Sequence, residues 1–166
     1  MQRSKIVVPV HLVWATYQRL PLIRVEWKEE LYAQIQIELT KLRVDSLAIG
    51  GVADHIHLAI RLPATRTVAE IMKQLKGASS HFLGEKLRAE DGFFKWQEGY
   101  GAFGFHVGLT SRIISYIENQ ETHHARNDLW PALEAMEEDS LVREDADKVG
   151  YAARDFSPSC LTQAAP

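Results

Sequence analysis

Residues 54–58 read DHIHL, placing His55 and His57 one residue apart in a run that otherwise suits a buried strand. Successive side chains of a strand point to opposite faces. Ile56, Leu58, Ile60 and Leu62 therefore share one side and the two histidines the other. Same-face positions at i and i+2 are roughly 7 Å apart at the backbone. Imidazoles leaning together from there can bind one metal ion at about 2 Å each. The same pair also suits a solvated sheet face, and the pattern alone leaves both readings open.

A second constellation lies in LTSRIISYIENQETHH, residues 109–124, whose apolar spacing predicts a helix capped at Thr110 or Ser111. On a wheel of about 100° per residue with Tyr116 at zero, Gln120 falls near +40°, His123 near −20° and Arg112 near −40°. Ile113, Ile117 and Ile114 occupy the packing side of that wheel. One stripe thus carries a phenol, an amide, an imidazole and a guanidinium. A polar helix face with a snorkelling tyrosine would look the same. If Gln120 completed the two-histidine site, however, Tyr116 would lie beside the metal. A phenol with a pKa near 10 is ionised in only about one molecule per thousand at pH 7, a deficit worth roughly 4 kcal/mol. A divalent ion polarising a phosphate or stabilising its leaving oxygen offsets much of that. A covalent phosphotyrosine would follow.

These residues must be positioned by the remaining elements. KIVVPVHLVWATY (5–17) is apolar on both alternating faces and reads as a central strand. A helix is expected over about 25–43, with Leu31, Ile35, Leu39 and Leu42 at helical spacing. Residues 44–62 suggest a hairpin, and Gly50-Gly51 a bulge or a close approach of another backbone. TVAE at 67–70 is a capping box opening the next helix, with Val68, Ile71, Met72, Leu75, Phe82 and Leu83 as its buried stripe. The aromatic and glycine-rich stretch 91–108 reads as a loop leading into a strand near 101–107. Residues 127–148 suggest a short helix, and the chain from about 150 a loose tail. The order βαββαβα predicts an α+β, ferredoxin-like antiparallel sheet with packed helices.

Charge is unevenly distributed. Residues 1–120 hold 15 Lys+Arg against 12 Asp+Glu, a balance of +3, whereas 121–166 hold 4 against 10, or −6. The acidic end masks a mildly basic body, so the overall charge of −3 does not exclude nucleic acid. Arg61, Arg66, Lys73 and Lys76 could bind phosphate, joined by Arg112 from the stripe, while Trp96, Tyr100 and Phe103 could stack unpaired bases. Ordinary solvated lysines and core aromatics remain the alternative for each. His11, His81, His106 and His124 read as surface or structural histidines, with His123 a secondary candidate for the site. The single Cys160 and the lack of a long apolar run favour a cytoplasmic protein without a membrane segment.

GVADHIHLAIRLP, WQEGYGAF and YIENQETHH, in this order behind HLVWAT, resemble the single-tyrosine HUH transposases of the insertion-sequence-200-like group, which includes the REP-associated tyrosine transposases. The likeness spans roughly residues 8–126, making 1–126 the expected catalytic domain and 127–166 an acidic extension that does not match the family ending. It implies that His55, His57 and Gln120 are metal ligands and Tyr116 the nucleophile. Single-stranded DNA would be cleaved and rejoined at hairpin-marked element ends through a 5′-phosphotyrosine with a free 3′-OH. A homodimer is implied, with the tyrosine helix of one subunit serving the histidines of the other. Two histidines alone suggest zinc; the resemblance implies Mg²⁺ or Mn²⁺. A domesticated palindrome-nicking relative and a catalytically silent single-stranded nucleic-acid-binding module are the competing readings.

Overall fold

Strict alternation along two adjacent strands gives the sheet two buried faces of different character. β1 (Pro9–Ala15) is buried along its whole length, and β3 (His55–Arg61) along all but its last residue. They pair antiparallel, Leu12 opposite Leu58 and Val13 opposite His57. β2 (Asp45–Gly51) flanks β3 and β4 (Gly101–Gly104) flanks β1, giving a four-stranded sheet ordered β2-β3-β1-β4 with every pairing antiparallel. The computed structural model describes residues 5–88 and 92–134, all within a unit spanning Met1–Met136.

One face is aliphatic. Val10, Leu12 and Trp14 of β1 and Ile56, Leu58 and Ile60 of β3 form a core with two helices, α1 (Lys28–Leu42) and α2 (Val68–Arg88). Leu31, Ile35 and Leu39 come from α1, and Ile71, Met72, Leu75 and Leu83 from α2, as their helical spacing predicts. Each fully buried side chain of this size contributes about 1.5–3 kcal/mol. The capping box forms: the Thr67 N–H donates to Glu70 Oε2 at 2.8 Å and the Glu70 N–H to Thr67 Oγ1 at 3.2 Å.

The other face carries His11, His55 and His57 and is covered by α3 (Thr110–Glu118), whose Ile113, Tyr116 and Ile117 pack with Ala48 and Ala59. Small residues on the sheet let this helix sit close. A Cβ on Gly50 would lie 1.9 Å from the Ile117 carbonyl oxygen, so the expected close approach occurs at Gly50, while the β2 bulge lies between Ser46 and Ala48.

Several elements differ from expectation. β1 begins at Pro9; Ile6, Val7 and Val8 are exposed. β4 is only four residues long, ending before a turn in which His106 Nδ1 accepts from the Gly108 N–H. The helix expected as continuous over 110–124 breaks at Asn119 (φ −107°, ψ 23°) into α3 and α4 (Gln120–Arg126). The Asn119 side-chain amide donates to the Ser115 carbonyl at 2.7 Å, competing with the backbone ladder. Within the acidic segment, α5 (Pro131–Glu134) is helical and buries Leu133. The rest of the helix suggested at 127–148 and the tail beyond 150 lie outside the described residues.

The Gly50 contact is testable. Gly50→Val should lower the unfolding free energy by about 3 kcal/mol, read from urea denaturation, because the clash is with a backbone oxygen and not with a side chain that can swing away.

Candidate active site

The pleat of β3 turns His55 and His57 toward α3, and both rings are completely buried. Each is held through its Nδ1. His55 Nδ1 lies 2.6 Å from Asp54 Oδ1, and His57 Nδ1 lies 2.9 Å from His11 Nε2. A proton on each Nδ1 leaves the Nε2 lone pair free, the arrangement that second partners impose on metal-binding histidines. Both Nε2 atoms converge on one carboxylate. His55 Nε2 is 3.3 Å from Glu134 Oε2, and His57 Nε2 is 3.4 Å from Glu134 Oε1.

Tyr116 completes the cluster from α3. Its hydroxyl donates a short hydrogen bond to Glu134 and accepts the Trp130 N–H at 3.2 Å. The phenol ring lies edge-on to His57, centroids 6.0 Å apart. His123 packs against it at 4.9 Å. His124, one residue on, approaches His55 with Nε2 atoms 3.2 Å apart. Gln120 is buried; its amide nitrogen donates to the Tyr116 carbonyl, and its Oε1 has no hydrogen-bond partner.

The donor set fits a metal ion. His57 Nε2 and Gln120 Oε1 are buried atoms without hydrogen-bond partners, and both are ligand types for divalent ions. His55, His124 and Glu134 each offer a ligand atom within 4.8 Å of the others and could hold an ion between them.

Electrostatics follow from burial and one anion. Burial alone would raise the Glu134 pKa, but the facing His55 and His57 rings and the bond from Tyr116 outweigh it and hold the carboxyl well below its usual range. Burial pushes the Tyr116 phenol up, and its bond to Glu134 raises it further. Burial would lower His55, yet the carboxylates of Asp54 and Glu134 leave it raised. His57 and His124 are lowered, chiefly by burial. His11 falls to about 3 through burial, with the neighbouring His57 adding to the effect.

The sequence matches the family described as Transposase IS200 like over residues 4–120, most of the chain. The chain belongs to the IS200-like transposase family. Its fold agrees with two solved structures. One is a transposase candidate from Deinococcus radiodurans R1, at 23% identity, TM-score 0.56, and coverage of 72% of this chain and 96% of that one. The other is a REP-associated tyrosine transposase bound to a REP hairpin, at 16% identity, TM-score 0.56, and coverage of 75% of this chain and 73% of that one. None of the curated proteins matches.

Within this transposase fold, one chain brings Tyr116 beside its own His55, His57 and Gln120. The basic candidates do not join them. Arg61 lies at the far end of β3, 3.9 Å from Asp45. Arg66 and Lys73 are exposed, Lys73 on α2, which covers the opposite face of the sheet. Two candidates have structural duties instead. The Lys76 ammonium donates to the Gln97 and Gly99 carbonyls, at 2.7 Å each. Trp96 fills the α1–α2 core and donates to Ser79 Oγ at 3.0 Å, so its ring is not offered to a base. Tyr100 is half-buried against that same core. Phe103 stacks near His11 on the imidazole face, with centroids 6.0 Å apart. Arg112 is exposed, its guanidinium 4.6 Å over the Trp130 ring.

Sequence reasoning missed five contributors: Glu134, His124, His11, Asp54 and Arg19. Arg19 follows β1 in a left-handed pair with Gln18 (φ 54° and 52°), a backbone cost of about 1–3 kcal/mol per residue. Its guanidinium lies 3.7 Å from Asp54 and 3.3 Å from His55 Nδ1. Among described residues no helix is long and apolar enough to cross a membrane.

The lowered histidines have a measurable consequence. A histidine that is neutral when folded and charged when unfolded makes the unfolded state bind more protons, so stability drops as the pH is lowered. For His11 the window runs from its unfolded value, 6.5, down to about 3. The metal-free protein should lose stability in urea between pH 7 and pH 5. His11→Gln should flatten that slope by up to about 1.4 kcal/mol per pH unit.

Proposed function

We propose that this family member is a metal-dependent single-stranded DNA endonuclease and strand transferase that uses Tyr116 as its nucleophile. The observation that carries this reading is the convergence of the Tyr116 hydroxyl and both β3 imidazoles on the Glu134 carboxylate. A buried phenol held next to two ring nitrogens is geometry for chemistry, whereas a solvated polar helix face would leave it exposed.

His55 and His57 are the proposed ligands of Mg²⁺ or Mn²⁺, with Gln120, whose buried Oε1 has no hydrogen-bond partner, as the proposed third. When bound, the ion supplies Lewis-acid polarisation of the scissile phosphate. The remaining work falls to the chain. Asp54 and His11 fix the imidazole orientations, α3 holds the phenol in place, and burial keeps bulk water from competing as nucleophile. Tyr116 gives up its hydroxyl proton and attacks phosphorus, the bond to the 3′ oxygen breaks, that oxygen takes up a proton to leave as a 3′-OH, and a 5′-phosphotyrosine forms. Because that linkage retains the phosphodiester's energy, a later 3′-OH can attack it and reseal the strand.

The hairpin carried by the second structural neighbour favours structured single strands as substrate, marking either element ends or host palindromes. Arg19, at the Asp54–His55 edge, is the cation best placed for a phosphate; Phe103 and Arg112 are on the same face. Arg61, Arg66 and Lys73 would meet DNA only if it wraps beyond the site. A homodimer with shared sites is still compatible with this reading, although the contacts within one chain already assemble the site.

The test is incubation with labelled hairpin oligonucleotides in Mg²⁺ or Mn²⁺. Wild type should give a denaturation-resistant protein–DNA adduct, and Tyr116→Phe should reduce it by about 10³-fold or more. His55→Ala or His57→Ala, or chelation, should abolish cleavage while hairpin binding survives. An adduct formed equally by Tyr116→Phe removes the nucleophile assignment. Hairpin binding without any adduct would favour a silent binding module.

A further inference from the structure

We propose that Glu134 is itself a metal ligand, an anionic one delivered to the two-histidine centre by the segment after the tyrosine helices. This rests on the metal-dependent reading of the same site.

Distance is the first argument. Two ligands at about 2.0–2.2 Å from one ion and roughly 90–110° apart are separated by about 3.0–3.5 Å. Glu134 Oε2 is 3.3 Å from His55 Nε2, and Glu134 Oε1 is 3.4 Å from His57 Nε2. Both spacings exceed the usual N–H···O range of about 2.7–3.2 Å. His57 Nε2 has no hydrogen-bond partner despite complete burial. His124 Nε2, 3.2 Å from His55 Nε2, is a further donor at the same spacing. The four groups form ligand edges better than they form hydrogen bonds.

Charge is the second argument. Imidazoles and the Gln120 amide are neutral ligands, whereas Mg²⁺ and Mn²⁺ are normally held by carboxylates and other oxygens. Glu134 is the carboxylate facing both β3 rings. Its approach is also built: Leu133 is buried, the Trp130 N–H bonds the Tyr116 hydroxyl, and Arg112 lies over the Trp130 ring. A charge-bearing residue whose preceding segment is fixed by packing and hydrogen bonding is placed there, not drifting near.

The decisive measurement is Mn²⁺ binding to the full chain without DNA, by calorimetry and by the electron paramagnetic resonance of free Mn²⁺. Wild type should bind, and Glu134→Gln should bind at least about 10-fold more weakly. Circular dichroism checks the fold of each variant. Should Glu134→Gln fail to fold, Glu134→Asp keeps the charge but shortens the reach by a methylene, and it should also weaken binding. Wild-type affinity in a folded Glu134 variant overturns the assignment, as does a wild-type chain that binds no Mn²⁺ without DNA. His55→Ala separates the two levels. If it loses Mn²⁺ while Glu134→Gln does not, only Glu134 is excluded. If it binds like wild type, the metal-dependent reading itself fails.

Discussion

The Glu134 carboxylate lies where two buried imidazoles, a buried phenol and the segment after α4 meet, and the rest of the site is organised around it. Burying such an anion is unfavourable unless it is paired and hydrogen-bonded. Here the pairing is dense enough that its carboxyl titrates well below the usual range despite burial. The converse also holds. Without Glu134, two closely spaced rings and a phenol would face each other with no anion between them. Removing one partner from a buried charged pair typically costs about 3–5 kcal/mol.

Such a cluster needs a scaffold that buries polar groups without burying them blindly. The sheet provides it by assigning its faces separate tasks. Ile56, Leu58 and Ile60 pack on α1 and α2, so β3 is anchored from the face opposite its histidines. His55 and His57 are then held at their Nδ1 atoms by Asp54 and His11. Gly50 lets α3 approach the sheet closely at Ile117, one residue from Tyr116. Packing on the aliphatic face anchors the sheet, and the other face carries polar groups that are held by pairing among themselves and by the close seat of α3.

How much of this could be read in advance follows from the range of each signal. Strand alternation is local, so the two faces of β3 were legible from DHIHLAIRL, as was the capping box at Thr67–Glu70. Tyr116 and Gln120 share a turn and were likewise legible. That spacing is not unique, since Tyr32 and Gln36 repeat it on α1, where Tyr32 packs against the aliphatic core. The wheel put His123 on the Tyr116 stripe, and it does pack on the phenol. It gave no sign of His124, which beyond the break at Asn119 reaches His55. His11 was invisible because its contact with His57 is diagonal, and it depends on the register that sets Val13, not His11, opposite His57. Glu134 was hidden by its surroundings: in an acidic run every carboxylate looks solvated until Leu133 and Trp130 show which way the chain turns.

The phenol oxygen shows why the positions of these groups matter more than their identities. Around it are one acceptor, Glu134, and one backbone donor, the Trp130 N–H. Burial and the carboxylate favour the protonated phenol, whereas the N–H favours the phenolate. At rest the first pair wins, and the phenol stays protonated. Each unit of pKa in that balance is worth about 1.4 kcal/mol. Neutralising Glu134 would leave only burial opposing ionisation. In the reading proposed above, where Tyr116 is the nucleophile, the carboxylate that keeps the phenol protonated is then also the group whose charge bears on its reaction.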